Sequence, residues 1–541
     1  MFACAGAALI AIFVLDNHAV AEDRTRREEL LTLFNEFRTL AHPTLPDGVP
    51  DYTAATMAAT HRKLQELQQR LASLDPSTWS LEDRVDYELL RAEMNGLDFS
   101  IRVLQPWARD PAYYAIVWPD ESDTPAHEGP TSHAAIELWT YSFPLSQADE
   151  AKLAKQLRVI PPLLQQARTN LTGNARDLWV AGIRSIRNQV EDLDDLAAKM
   201  TNAGREFKKA LAEARAATVS FAEWLEQQVP LKTGPSGIGR EAYTWHLRNV
   251  LLVPMTWEEE EMLLKRELDR SLAMLSLERH RNRNLPAIVP ASSPEEFDRR
   301  TDASITKLMR FLKEQNILTV KPYMEPELRK HRGSFRPPEK RNFFLNVLHA
   351  EPAVLYSHLT HWFETAMMRE EPHPDPMRRD ALLFNIWMSR SEGLATGVEE
   401  MFMHAGLYDD NPRARELVWI MLAFRCARGL ASLYVHANEM TLEEARAYQI
   451  AWTPGGWVGS DLTLVGGEQH LYLRQPGYGT SYVTGKYLIE RLIADRSRQL
   501  GDAFSLKSFF DELYSLGMIP VSLLRWQMTG NDDEIRRIRS E

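Results

Sequence analysis

Along most of the chain apolar residues recur every three to four positions, the period of a helix with one buried face. The pattern is clearest in "REELLTLFNEFRTLA" (27–41), "AATHRKLQELQQRLASL" (58–74), "LEDRVDYELLRAEMNGLDFSIRVL" (81–104), "ADEAKLAKQLRVIPPLLQQART" (148–169) and "FKKALAEARAATVSFAEWLEQQV" (207–229). Pro, Gly, Asp or Asn punctuate these runs. The pattern predicts a mainly α protein with a large helical fold. One run departs from it. "NFFLNVLHA" (342–350) is rich in residues that favour strands, and it predicts a small β edge element beside the helix that follows. "LKTGPSGIG" (231–239) is the expected boundary between an N-terminal helical region, 22–230, and a second region, 231–541. A Gly-rich stretch, "TPGGWVGSDLTLVGGEQH" (453–470), reads as a loop, either a lid or a surface excursion.

The N-terminus carries a processing pattern: an apolar run from Phe2 to Leu15 precedes Ala19-Val20-Ala21, a small-x-small cleavage signal. The run is shorter than the ~20 residues needed to span a bilayer. Residues 1–21 are therefore expected to be a signal peptide, which places the protein in the periplasm or outside the cell. No Lys or Arg precedes the run, which leaves the alternative of a mature helix in a cytoplasmic protein. Cleavage after Ala21 would leave Cys426 as the sole cysteine, so no disulfide framework is expected. No integral membrane span is expected either. The 541 residues are 44% apolar and 26% charged, ordinary globular usage. With 63 basic and 75 acidic residues the net charge is -12, which argues against a nucleic-acid partner.

Candidate chemistry begins at "AVLYSHLTHWFETAMM" (353–368) and continues in "SEGLATGVEE" (391–400). A catalytic zinc takes about three protein ligands, an open position for water and a nearby carboxylate to accept that water's proton. His358 and His361 are three apart and share a helix face. His358 and Glu364, six apart, diverge by about 120° on a straight helix. His358, His361, Glu364 and Glu392 are therefore the candidates for such a set, Glu364 only if the helix bends. For His361 a buried histidine satisfied by one hydrogen bond is the competing reading. Glu399 lies seven residues after Glu392 and is the candidate substitute base; His373 and His404 are expected at the surface. Arg425 and Arg428, three apart, can grip a carboxylate in two parallel hydrogen bonds or pair with Glu392 or Glu399. His436, Tyr472 and Tyr482 complete the candidates, and Tyr482, after a Pro-Gly turn, can donate to an oxyanion.

The order of these motifs resembles the bacterial family called domain of unknown function 885, whose members resemble gluzincin-type zinc peptidases. The resemblance runs from about Asp83 to the C-terminus. The family pattern H-E-x-x-P-G-H-H-x-Q meets "HLTHWFETAM" (358–367), E-G-W-A meets "EGLATGVEE" (392–400), and P-G-Q-x-x-S-Y meets "PGYGTSY" (476–482). "GMIPVSLLRWQM" (517–528) is similar to the family's ending. The resemblance implies that His358 and Glu392 are metal ligands. Arg425, Arg428, His436, Ser481 and Tyr482 also match family positions. Leu359 replaces the general-base glutamate, Trp362 and Phe363 replace Pro-Gly, Glu364 and Thr365 replace the two histidines, and Tyr478 replaces Gln. Without Pro-Gly the helix is expected to run straight and Glu364 to turn away. Zinc, if any, is then expected to be weakly held or absent. The implied function is a catalytically impaired pseudopeptidase that binds a peptide or small amide. The alternatives are a metal-dependent peptidase or amidase with an altered ligand set, and a metal-free enzyme using His358 or Glu364 as base.

Overall fold

The computed structural model describes residues 26–43, 45, 47–122, 130–384, 388–459 and 462–540; the expected signal peptide lies outside them. The chain is helical almost throughout, and the periodic runs above are helices. Their apolar spacing does the work: in the helix at 26–41, Leu30, Leu33, Phe34 and Phe37 fall on one face and are buried. Polar starts fix the helix ends. Ser80 accepts the Asp83 N–H ahead of helix α1 (Leu81–Phe99), and Thr256 and Thr441 each form a capping box with a glutamate three residues on.

Two large apolar cores share α1. One face, with Tyr87, Leu90, Met94 and Leu97, packs into a core built otherwise from residues between Leu30 and Leu225 plus Met377. The other, with Val85, Leu89, Ala92 and Phe99, packs into a core running from Tyr243 to Ile538. Among the described residues the sheet content is one parallel pair, β1 (Val117–Trp118) with β2 (Ile136–Glu137).

The site is carried by six further helices: α2 (Pro352–His358), α3 (Trp362–Glu370), α4 (Met388–His404), α5 (Ala414–His436), α6 (Thr463–Arg474) and α7 (Tyr478–Leu500). Helix α5 is long and apolar enough to cross a membrane, yet it is buried inside the protein almost along its length; it is the core helix, and no other described helix meets that test.

Two expectations about local structure are corrected. The segment 342–350 is not an edge strand but a helix, Phe343–Ala350, capped by the Asn342 side chain accepting the Leu345 N–H. Its buried residues Phe343, Val347 and Ala350 follow the helical spacing, and Phe343 stacks on Phe424 with ring centroids 3.8 Å apart. Burial along that face overrides the strand preference of the individual residues. The Gly-rich stretch is irregular only in its first part; from Thr463 it is α6, with Gly466 and Gly467 inside the helix.

A buried carboxyl makes the core pH-sensitive. Glu260 accepts the Tyr243 and Thr484 hydroxyls, and burial pushes its pKa up to about 7 from an ordinary 4.5. Its contribution is fully present below the unfolded pKa and is lost as pH rises through about 7, by roughly 1–3 kcal/mol. Thermal melts should therefore show Glu260→Gln gaining stability relative to the parent between pH 5 and pH 8. A gap that stays constant with pH would contradict this.

Candidate metal centre

Helix α2 ends at His358, and Leu359–His361 form a single 3₁₀ turn before α3 resumes. The expected straight helix is thus broken without any Pro-Gly. At the break Ser357 Oγ donates to the Val354 carbonyl and Thr360 Oγ1 to the Ser357 carbonyl, both at 2.7 Å. Leu359 packs on the core, Phe363 is fully buried, and Trp362 stacks on His331 with centroids 3.6 Å apart.

The turn brings two histidines to one carboxylate from α4. His358, His361 and Glu392 are all buried, and one ligand atom from each lies within 4.8 Å of the others. His358 Nε2 is 3.6 Å from Glu392 Oε2. The two rings of the histidines meet edge-on at 5.3 Å. Glu392 is held by α7, because Tyr482 donates to its Oε1 at 2.9 Å and Tyr478 to the same oxygen at 3.1 Å. Its Oε2 is buried without a hydrogen-bond partner and faces His358. Burial raises the Glu392 pKa, opposed by the Arg428 charge.

Behind His358 the environment is ionic. Arg425 Nη2 lies 3.0 Å from His358 Nδ1, and its Nη1 donates to Glu399 Oε2 at 2.7 Å. Glu399 Oε1 is 3.1 Å from that same Nδ1. Burial first, then the Arg425 charge, hold His358 well below its ordinary pKa, so the ring is neutral. A neutral ring that accepts from Arg425 at Nδ1 carries its proton on Nε2, toward Glu392. If Nε2 is needed as a ligand, the proton moves to Nδ1 and is donated to Glu399, the usual carboxylate support of a metal-binding histidine.

Other sequence-singled residues have different tasks. Glu364 is not part of the group: it is buried against Arg390, which donates to its Oε1, so α3 turns it away despite the break. Arg428 donates to Glu468 Oε1 at 2.6 Å and lies 3.9 Å over the Tyr482 ring. His436 donates to the Tyr472 carbonyl at 2.9 Å, rests against Tyr243, and has its pKa lowered to about 4 by burial. Both arginines are thus matched internally, Arg425 by Glu399 and Arg428 by Glu468. His404 is exposed. Glu468, Arg390 and Tyr478 were not singled out as partners; Glu468 sat in the stretch read as a loop, where nothing aimed it at Arg428.

The donor chemistry fits a metal ion. Tetrahedral zinc with bonds of about 2.1 Å holds its ligands about 3.4 Å apart. The 3.6 Å pair is close to this spacing, and the three candidate ligand atoms lie within 4.8 Å of one another. Two histidines and a glutamate are a known catalytic zinc set.

The family model "Bacterial protein of unknown function (DUF885)" matches residues 40–319 and 361–528. The chain is a member of the DUF885 family. His358 falls between the two matched segments, and His361 opens the second. Two solved structures share the DUF885 chain's fold. One is described as "a putative lipoprotein of unknown function from Shewanella oneidensis", at 16% identity and TM-score 0.68, covering 94% of this chain and 98% of its own. The other, described as a "putative lipoprotein from Colwellia psychrerythraea", is 12% identical with TM-score 0.65, covering 93% and 99%. No curated protein matches the sequence.

A cavity of about 1130 Å³ in this DUF885 protein is not lined, among the described residues, by His358, His361 or Glu392. Met388 and Gln475 are among its lining residues. Met388 is buried and packs with Tyr472, Tyr478 and Tyr482, the last two being the residues that hold Glu392. Met388 thus belongs both to the cavity lining and to the cluster of tyrosines that hold Glu392.

Proposed function

We propose that the protein is a metallopeptidase-like peptide binder whose centre holds a zinc-type divalent cation on His358, His361 and Glu392 and is impaired in hydrolysis. The observation that carries the reading is the orphaned, buried Glu392 Oε2 facing His358 Nε2 at 3.6 Å, since a buried carboxylate oxygen without a partner is costly unless a cation completes it. A bound zinc would supply Lewis acidity and lower the pKa of a coordinated water. What is missing is a base on the water's side. Leu359 cannot accept a proton, and Glu399 faces the other nitrogen of His358 and is bound to Arg425. The tyrosine hydroxyls are directed to Glu392, so Tyr482 acts on the ligand rather than on an oxyanion. The relatives described as lipoproteins, with the N-terminal cleavage pattern, support a place outside the cytoplasm.

A second reading, a working metal-dependent peptidase or amidase, is favoured by one observation: burial raises the Glu399 pKa to about 7, the range in which a general base is effective. Protein purified without chelators and titrated with zinc decides between them. One equivalent should bind, Glu392→Gln should weaken it at least ~100-fold, and peptide hydrolysis should stay at background. Turnover abolished by Glu392→Gln would establish the second reading; absence of any zinc binding would remove the first.

A further inference from the structure

Two tyrosines converge on one oxygen of Glu392. Tyr478 opens α7 and Tyr482 follows one helical turn later, so both rings lie on one side of that helix. The rings stack with centroids 5.8 Å apart and planes 12° apart, and both side chains are buried. Glu392 Oε1 accepts from Tyr482 at 2.9 Å and from Tyr478 at 3.1 Å. Each oxygen of an ionised carboxylate offers two lone pairs. Oε1 has both engaged, whereas Oε2 has no hydrogen-bond partner and faces His358 Nε2.

The tyrosine pair is itself held in place. The Arg428 guanidinium lies 3.9 Å over the Tyr482 ring, where a cation is attracted to the π face. Glu468 accepts from Arg428 at 2.6 Å through one oxygen and from Gln449 Nε2 at 2.9 Å through the other. Tyr472 meets the Tyr478 ring edge-on at 5.5 Å. All of these side chains are buried. Glu392 cannot turn Oε1 toward the histidines without withdrawing it from both hydroxyls, and the buried, stacked rings are not free to follow.

The consequence is a fixed number of donors. Two imidazole nitrogens and one carboxylate oxygen make three ligands, the set that suits four-coordinate zinc. A carboxylate that uses both oxygens adds a fourth donor, of the kind preferred by octahedral, oxygen-seeking cations such as manganese(II). We propose that Tyr478 and Tyr482 are positioning residues that reserve Oε1, restrict Glu392 to one metal-binding oxygen and so make the centre selective for zinc over manganese. This rests on the reading of His358, His361 and Glu392 as a metal centre and names what sets its metal preference.

The parent chain gives the first test. Cobalt(II) is the probe of coordination number, because its visible absorption is strong with four ligands and weak with six. The parent should give the strong spectrum; a weak, six-coordinate spectrum would overturn the proposal. Tyr478→Phe/Tyr482→Phe keeps both rings and releases Oε1. Its cobalt absorption should fall several-fold, and its preference for zinc over manganese, read from competing titrations, should fall ~10-fold or more. Each single variant should lie between the parent and the double variant. Tyr243→Phe is the control: it removes a different buried hydroxyl, one that donates to Glu260, so it should lower the melting temperature and leave both metal readouts unchanged. Tyrosine variants that lose stability yet keep the parent's spectrum and selectivity would show that the hydroxyls support the fold only, and would sink this inference alone. A parent that binds neither zinc nor cobalt would remove the metal reading and this inference with it.

Discussion

Gly485→Ala is expected to destabilise the protein by ~3 kcal/mol or more, at the upper end of what overpacking costs. A methyl group at Gly485 would sit 2.0 Å from the Ser389 carbonyl oxygen and 2.7 Å from the Gly393 Cα. The obstacles are backbone atoms, which cannot rotate aside, so α4 and α7 must separate. These two helices are the ones that join Glu392 to its tyrosines: Gly393 follows Glu392 directly, and Gly485 lies three residues after Tyr482. Zinc affinity should therefore fall together with stability. Gly467→Ala is the control, because a methyl group there meets nothing within 4 Å and the residue is inside α6. It should raise stability by up to ~1 kcal/mol. Thermal melts of both variants, with zinc titration of whichever folds, check the pair; an unchanged melting temperature for Gly485→Ala would show that the crossing is not the constraint inferred.

Much of the architecture was legible because long amphipathic runs carry their period in the sequence itself. Residues 26–41 and 81–99 needed only their apolar spacing. The failures are of two kinds. In 342–350 a helical spacing was present at Phe343, Val347 and Ala350, but the strand preference of single residues was weighted above it. In 463–474 two adjacent glycines outweighed the flanking residues, although a helix packed against α5 and α7 tolerates them where their faces are open. The site was legible as far as motif order reaches: His358 and Glu392 were expected to meet, and they do. The break at Leu359–His361 was not legible, since no Pro or Gly marks it in the sequence. Nor were the partners of the arginines fixed, because Glu399 and Glu468 come from separate helices and a single sequence gives no measure of pairing over such separations. Glu364, expected among the ligands only if the helix bent, turns away even though the helix breaks, and its destination, Arg390, was unforeseen.

The second large effect concerns the pair behind His358. Arg425 is fully buried and Glu399 nearly so, and each is the other's principal counter-charge. Arg425→Met should cost about 3–5 kcal/mol, the penalty of leaving one member of a buried pair alone. Arg425→Met/Glu399→Leu replaces both by apolar groups of similar bulk and should recover most of that loss, since a buried pair is often no more stabilising than a well-packed apolar substitute. Stability alone would suggest that the pair is dispensable. Metal affinity should say otherwise. In the double variant His358 Nδ1 has neither Arg425 nor Glu399 to fix its tautomer and ring orientation, so zinc binding should remain ~10–100-fold weaker than in the parent even though the fold has recovered. Calorimetric zinc titration beside denaturant melts separates the two effects. Recovery of both stability and zinc affinity in the double variant would show that Glu399 and Arg425 hold the core and do not support His358; recovery of stability alone identifies the Arg425–Glu399 pair as the support that orients His358 for the metal.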